Sequence, residues 1–154
     1  MISQSELKEL LSYDNQTGIF ARKNGKIVGW NDKFGYLKVE IKEKSYFLHR
    51  LAWLYEYGFF PDSHIDHVNG ERSDNRICNL RLASRSQNLC NVARTKRNTS
   101  GIKNVSFHKE SKKWRVVVSV NGKNKSFGLY HDIELAELVA SEARNKYHGE
   151  FARA

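Results

Sequence analysis

The chain has only two cysteines, Cys78 and Cys90, and no C-x-x-C pair. A structural zinc site built on paired thiolates is therefore not expected. Both thiols are expected to be free, as in a reducing, cytoplasmic compartment. No apolar run reaches the roughly 20 residues that a membrane-spanning helix needs. The N-terminal run MISQSELKELL is amphipathic and lacks the cationic-then-apolar order of a secretion signal. A membrane partner is thus not expected. There is no internal repeat and no low-complexity tract, and no aromatic ribonucleoprotein motif supports an RNA-binding reading.

What is present is positive charge, unevenly placed. The 154 residues carry a formal net charge of +9. Between Ala93 and Lys113 there are seven basic residues, Arg94, Lys96, Arg97, Lys103, Lys109, Lys112 and Lys113, against the single acid Glu110. From Leu48 to Val92 the five arginines are matched by five acids. A dense cationic patch beside a near-neutral segment suits a polyanion partner, although a solubilising surface would look the same. The length suits one ordinary domain or two to three very small ones.

The patterning predicts a helix over 3–12, with Ser3 and Glu6 as a capping box, and a turn from Asp14 to Gly18. A strand is expected at 36–41, with a hairpin tip at Glu43-Lys44. A helix is expected at 49–57, ended by Gly58 and Pro61. Ser63–Val68 and Asn79–Ala83 read as strands, and Ser84 as the N-cap of a helix to about Val92. Three strands follow, roughly 103–108, 113–120 and 123–129. A last helix over 132–147 has a stripe of Ile133, Leu135, Ala136, Leu138, Val139, Ala140 and Ala143 for covering that sheet.

The residues that carry chemistry are Asp66-His67, Asn69-Gly70, Asp74-Asn75, Asn79 and Asn88. Phosphodiester cleavage needs an activated water and neutralisation of charge on the phosphate and leaving oxygen. A hard divalent cation supplies the neutralisation and prefers carboxylate and amide oxygens. An imidazole titrating near neutrality can take the proton from water. Asp66 and His67 are neighbours on one strand, so their side chains should leave opposite faces unless the strand end twists. Taken alone, an Asp-His pair also suits a turn, and asparagine-rich runs suit loops.

The stretch HRLAW…IDHVNGERSDNRICNLRLASRSQN resembles the HNH, or ββα-metal, nuclease motif of homing-type endonucleases, over about residues 36–92. The resemblance implies Asp66 and Asn88 as metal ligands, His67 as general base, and Asn79 as the residue that orients the His67 ring. Arg85 is expected to steady transition-state charge. Asn75 and Arg76 are expected to hold the loop. His49 is expected to be buried and hydrogen-bonded, Arg50 to be structural or to touch a phosphate, and His64 to be a bystander. The implied cofactor is one divalent ion, Mg2+ or Mn2+. The implied partner is double-stranded DNA, cut by a monomer or a homodimer. A phage or mobile-element origin follows from the same resemblance.

Residues 100–153 resemble the APETALA-type, ethylene-response-factor DNA-binding domain. The marks are Ser100-Gly101, Val105, Lys113-Trp114, Gly128, the alanine stripe and the ending Tyr147-His148-Gly149-Glu150-Phe151-Ala152. The resemblance implies a sheet face in the major groove, with contacts from Lys103, Ser106, His108, Arg115, Ser119, Asn124 and Ser126. Arg94, Lys96, Arg97, Lys109, Lys112 and Lys113 would add phosphate contacts. Ser106, His108 and Ser119 replace the arginines of most plant members, and Asn104 a glycine.

The fold class expected is α+β, a ββα-metal core with an N-terminal β-rich extension and a small three-stranded antiparallel sheet packed on one helix. The domains are 1–47 (scaffold, or a DNA clamp built on Trp30, Tyr36 and Tyr46 with nearby lysines), 48–92 (nuclease core), 93–101 (basic linker) and 102–154 (DNA-binding). Two functions remain at this point: a metal-dependent DNA endonuclease, and a non-catalytic DNA-binding regulator that keeps a relic HNH fold.

Overall fold

The computed structural model describes residues 1–92 and 97–152. Arg94 and Lys96, both expected to contact DNA, lie outside the described residues. The chain divides into two compact units, Met1–Ser84 and Arg85–Ala154.

In the first unit, helix α1 (Gln4–Leu10) starts with the expected capping box. The Ser3 hydroxyl accepts from the Glu6 amide, and the Glu6 carboxylate accepts from the Ser3 amide. Strands β1 (Leu11–Asp14), β2 (Ile19–Arg22) and β3 (Ile27–Val28) form one antiparallel sheet. Strands β4 (Trp30–Asn31), β5 (Leu37–Ile41) and β6 (Lys44–Phe47) form another. The β5–β6 hairpin turns at Lys42-Glu43, both at positive φ, one residue earlier than the sequence suggested. Helix α2 (Leu48–Tyr57) stops where Gly58 adopts the left-handed conformation.

Helix α2 buries Leu48, Leu51, Ala52 and Leu54 in one cluster with Leu7, Leu11, Phe20, Val39, Ile65 and Leu80. The last two come from β7 (His64–His67) and β8 (Leu80–Ala83), an antiparallel pair. Residues 1–47 thus lie in one unit with the residues after 47, in line with the scaffold alternative. Too short to bury a core alone, they share one with the residues that follow. A short 3-10 turn, Ile77–Asn79, precedes β8 and takes Asn79 out of the strand where the sequence had placed it.

The second unit begins earlier than the expected boundary at 92/93. Helix α3 (Arg85–Cys90) groups with it, because Lys103 Nζ donates to the Cys90 carbonyl and α3 touches the turn at Gly149–Phe151. Strands β9 (Val105–His108), β10 (Lys113–Val120) and β11 (Lys123–Tyr130) form an antiparallel sheet with β10 central. Helix α4 (Ile133–His148), capped by the Asp132 carboxylate, packs on it. Val105, Val116 and Val118 meet Ala136, Ala140 and Ala143. Leu135 and Leu138, expected within that stripe, are instead exposed. The contact face is the alanine row, whose small side chains let the helix approach the strands closely. A bulge at Val116/Val117 is accommodated opposite Gly128, at φ 125°. The Tyr130 hydroxyl donates to the Phe127 carbonyl across this glycine, and a Cβ there would lie 2.8 Å from that oxygen.

Replacing Ala140 with leucine is expected to overpack the α4–sheet contact and destabilise the second unit by about 1–3 kcal/mol. A lowered urea midpoint for Ala140→Leu, with Leu138→Ala near neutral, is the expected pattern.

Candidate active site

Strand β7 has four residues, and its last two are Asp66 and His67, each only 4% exposed. Each has its own surroundings. Asp66 faces Arg81, its cross-strand partner, whose Nε and Nη2 lie 2.9 and 2.8 Å from Asp66 Oδ2. A guanidinium at this distance offsets the large cost of burying a carboxylate. The sequence reading did not single out Arg81. Its signal was the strand register, which sets Arg81 opposite Asp66.

The His67 ring packs among aromatic groups. Its centroid is 5.2 Å from His49, edge to face, and 5.9 Å from Tyr36. Burial lowers the His67 pKa below the usual imidazole range. The Asn75 amide and the charges of Asp66 and Asp74 pull it back, while Arg72 adds to the lowering. His49 sits deeper, against Phe47 at 5.3 Å and Tyr36 at 5.4 Å. Burial, then the nearby His67 and Arg50, push the His49 pKa down to about 3. His49 is buried as expected, but its Nδ1 finds no hydrogen-bond partner among the described residues.

Asn75 holds the loop as expected, its Nδ2 donating to the Ser73 carbonyl at 3.2 Å, and Asn79 holds the same loop. Both ends of the Asn79 amide hold the loop after β7: Oδ1 accepts from the Asn69 amide at 3.0 Å, and Nδ2 donates to the Asp74 carbonyl at 2.9 Å. It staples the loop. Asn75, read as a loop residue, is buried with its amide beside the His67 ring. Asn75 is in turn fixed by the N-terminal hairpin. The Tyr13 hydroxyl donates to the Asn75 carbonyl at 2.7 Å. Gly18, at φ 73°, comes so close that a Cβ would lie 2.5 Å from the Arg76 nitrogen. No local pattern reveals these contacts, because 62 residues separate Tyr13 from Asn75.

Arg76 holds the loop as expected, with Nη2 2.6 Å from Asp74 Oδ2, and its guanidinium lowers the Asp74 pKa to about 2. Arg50 is structural: Nη2 donates to the Pro61 carbonyl and the group stacks on Phe60. Of the aromatic clamp candidates, Tyr36 packs on His67 and Tyr46 on Phe60, leaving Trp30 exposed. His64 is exposed.

Asn88, half-buried, and Arg85, exposed, are both on α3 of the second unit. In that unit Ser106, Arg115, Ser119, Asn124 and Ser126 are exposed on the sheet, with Ser106 beside Arg115 and Ser119 beside Asn124 in register. Arg97, Lys109 and Lys112 are exposed, and Lys113 is half-buried opposite His108. Two expected contacts are differently engaged. Lys103 precedes the strand and donates to the Cys90 carbonyl, and the His108 ring bonds to Ser111 Oγ at 2.9 Å.

With this geometry in view, known proteins can be compared. A family described as HNH endonuclease matches residues 46–90. Protein 3.8 of Escherichia phage T7 is 37% identical over 108 residues, covering 68% of this chain and 87% of the phage protein. The chain belongs to one family with this phage protein and carries an HNH endonuclease domain. A solved structure described as DNA binding and cleavage by the HNH homing endonuclease I-HmuI is similar at a TM-score of 0.44 and 22% identity, over 77% of this chain and 71% of that one. The HNH match contains Asp66, His67, Asn79 and Asn88 and ends before the C-terminal sheet.

The buried imidazoles make the first unit acid-sensitive. Unfolded, His49 protonates near the ordinary imidazole value of 6.5; folded, near 3. Below about pH 6.5 the unfolded chain therefore binds the extra proton. Stability present at pH 7 is lost as pH falls toward 3, at up to about 1.4 kcal/mol per pH unit. His49→Phe is expected to shrink the drop in melting temperature between pH 7 and 4.5; an undiminished drop would assign the sensitivity elsewhere.

Proposed function

We propose that the chain hydrolyses phosphodiester bonds in double-stranded DNA, with His67 as general base and Asp66 as ligand of a divalent cation, Mg2+ or Mn2+. The observation that carries this is the end of β7. It presents a buried carboxylate and a buried imidazole in succession, each held by its own neighbours. Family membership supports the same chemistry.

The donor set suits a hard cation. Among the described residues no group of three or more His, Cys, Asp and Glu gathers. What β7 offers is one carboxylate, Asp66, and Mg2+ commonly takes one or two carboxylates, waters and substrate phosphates. Asn88 stays the proposed second ligand, and Arg85 a proposed charge-steadying residue, on the motif alone. The cation, when bound, would supply Lewis-acid stabilisation of the phosphate and of the departing 3′ oxygen. His67, kept neutral by burial, takes the proton from the attacking water. Asn75 and the Tyr36–His49 wall fix the ring's orientation. Arg81 holds Asp66 in one rotamer before substrate arrives.

The C-terminal sheet is proposed to grip DNA in the manner of APETALA-type domains. The reading is supported by the three strands backed by one helix, by Arg115 exposed on β10, and by Lys109 and Lys112 exposed in the β9–β10 turn. A phage or mobile-element role accords with the relative from phage T7.

His67→Ala is expected to abolish plasmid cleavage in magnesium and leave gel-shift affinity within about twofold. Equal cleavage by both proteins would remove His67 from the mechanism, and binding without cleavage by the wild type would favour a regulator. Joint replacement of Lys112 and Arg115 by alanine is expected to reduce the slope of log K against log salt by about two, one per lost phosphate contact. A wild-type slope would mean that this face does not touch the backbone.

A further inference from the structure

The arginines of the β7–β8 region are held in two ways. Arg81 pairs with Asp66, Arg76 with Asp74, and Arg50 is tied beneath Phe60 to the Pro61 carbonyl. Arg72 differs. It is exposed on the loop after β7, and among the described residues no carboxylate pairs with it. Two neutral groups nevertheless hold its guanidinium. Nη1 donates to the Phe34 carbonyl at 2.9 Å, and the group lies over the Tyr36 ring, 5.0 Å from its centroid. The loop on either side of it is tied as well: Asn69 Oδ1 accepts from the Glu71 amide, Asn69 Nδ2 donates to Asp74, and Asn79 Oδ1 accepts from the Asn69 amide. The result is an oriented cation with no ion pair to a carboxylate among the described residues.

Arg72 also borders a hollow of about 400 Å³ between the β4–β5 turn and this loop, where Asn31, Phe34 and Gly35 face Gly70, Glu71 and Ser73. The Tyr36 ring that supports Arg72 also contacts the His67 ring, at 5.9 Å between centroids. A backbone phosphate at the guanidinium would therefore lie on the flank of the catalytic strand. Arginine is suited to this, because its planar fork meets phosphate oxygens two at a time and remains charged at any working pH.

We propose that Arg72, braced by Phe34 and Tyr36, forms a subsite for a backbone phosphate of duplex DNA, registering the strand beside His67. This rests on the DNA-cleaving reading above. The subsite is a positioning device, and Glu71, the acid in the same hollow, weakens it.

The test measures binding of the full chain to a mixed-sequence duplex in chelator, where no cleavage occurs, at several salt concentrations. Arg72→Ala is expected to raise Kd about three- to tenfold and to lower the salt slope by about one. Arg72→Lys is expected to recover the slope, because the charge is retained. Glu71→Gln is expected to tighten binding about twofold, a gain that misfolding would not produce. The proposal is overturned if Arg72→Ala keeps the wild-type slope, if Arg72→Lys loses as much as Arg72→Ala, or if Glu71→Gln fails to tighten binding. Cleavage of plasmid by the wild type in magnesium is scored separately. Absence of cleavage with an intact Arg72 effect would reject the nuclease and keep the subsite; cleavage without an Arg72 effect would do the reverse.

Discussion

A carboxylate and an imidazole are buried one after the other at the end of a two-stranded ribbon. Such a ribbon is marginal by itself, and both groups are costly to remove from water. The first unit answers this with specific partners. Arg81, opposite in register, compensates Asp66. Tyr36, His49 and Asn75 enclose His67. The loop between the strands is itself stapled through Asn69, Asp74 and Asn79, so the ribbon end is fixed on every side that its own chain can supply.

This need explains the β-rich N-terminal segments. The β1–β2 hairpin reaches Asn75 through Tyr13 and packs Gly18 on the loop backbone. The β4–β5 hairpin supplies Tyr36 against His67 and the Phe34 carbonyl for Arg72. These hairpins share their core with α2, Ile65 and Leu80, so support and site are parts of one cooperative structure. The second unit solves a simpler packing problem, an alanine row laid on valines, and leaves its polar strand residues outward.

The order of chemistry-bearing residues was legible in the sequence, because the Asp-His, Asn-Gly, Asp-Asn-Arg and Asn-Leu-Arg spacing is local. So were the capping box at Ser3 and the end of α2 at Gly58, since both signals are carried by neighbouring residues. Two readings missed for a common reason. Leu135 and Leu138 were placed on the inner face of α4, and a boundary was drawn at 47/48 inside one shared core. In each case type and position left several partners open, and packing chose among them.

The sequence by itself determined most elements, the chemistry on offer and its order along the chain, because backbone periodicity and side-chain type are local properties. Only the tertiary structure decided which asparagine meets the imidazole, which arginine balances the aspartate and which is left with its charge exposed. Those choices depend on contacts between segments far apart in the chain, such as Tyr13 with Asn75 and Phe34 with Arg72, and they exist only once a shared core has brought the segments together.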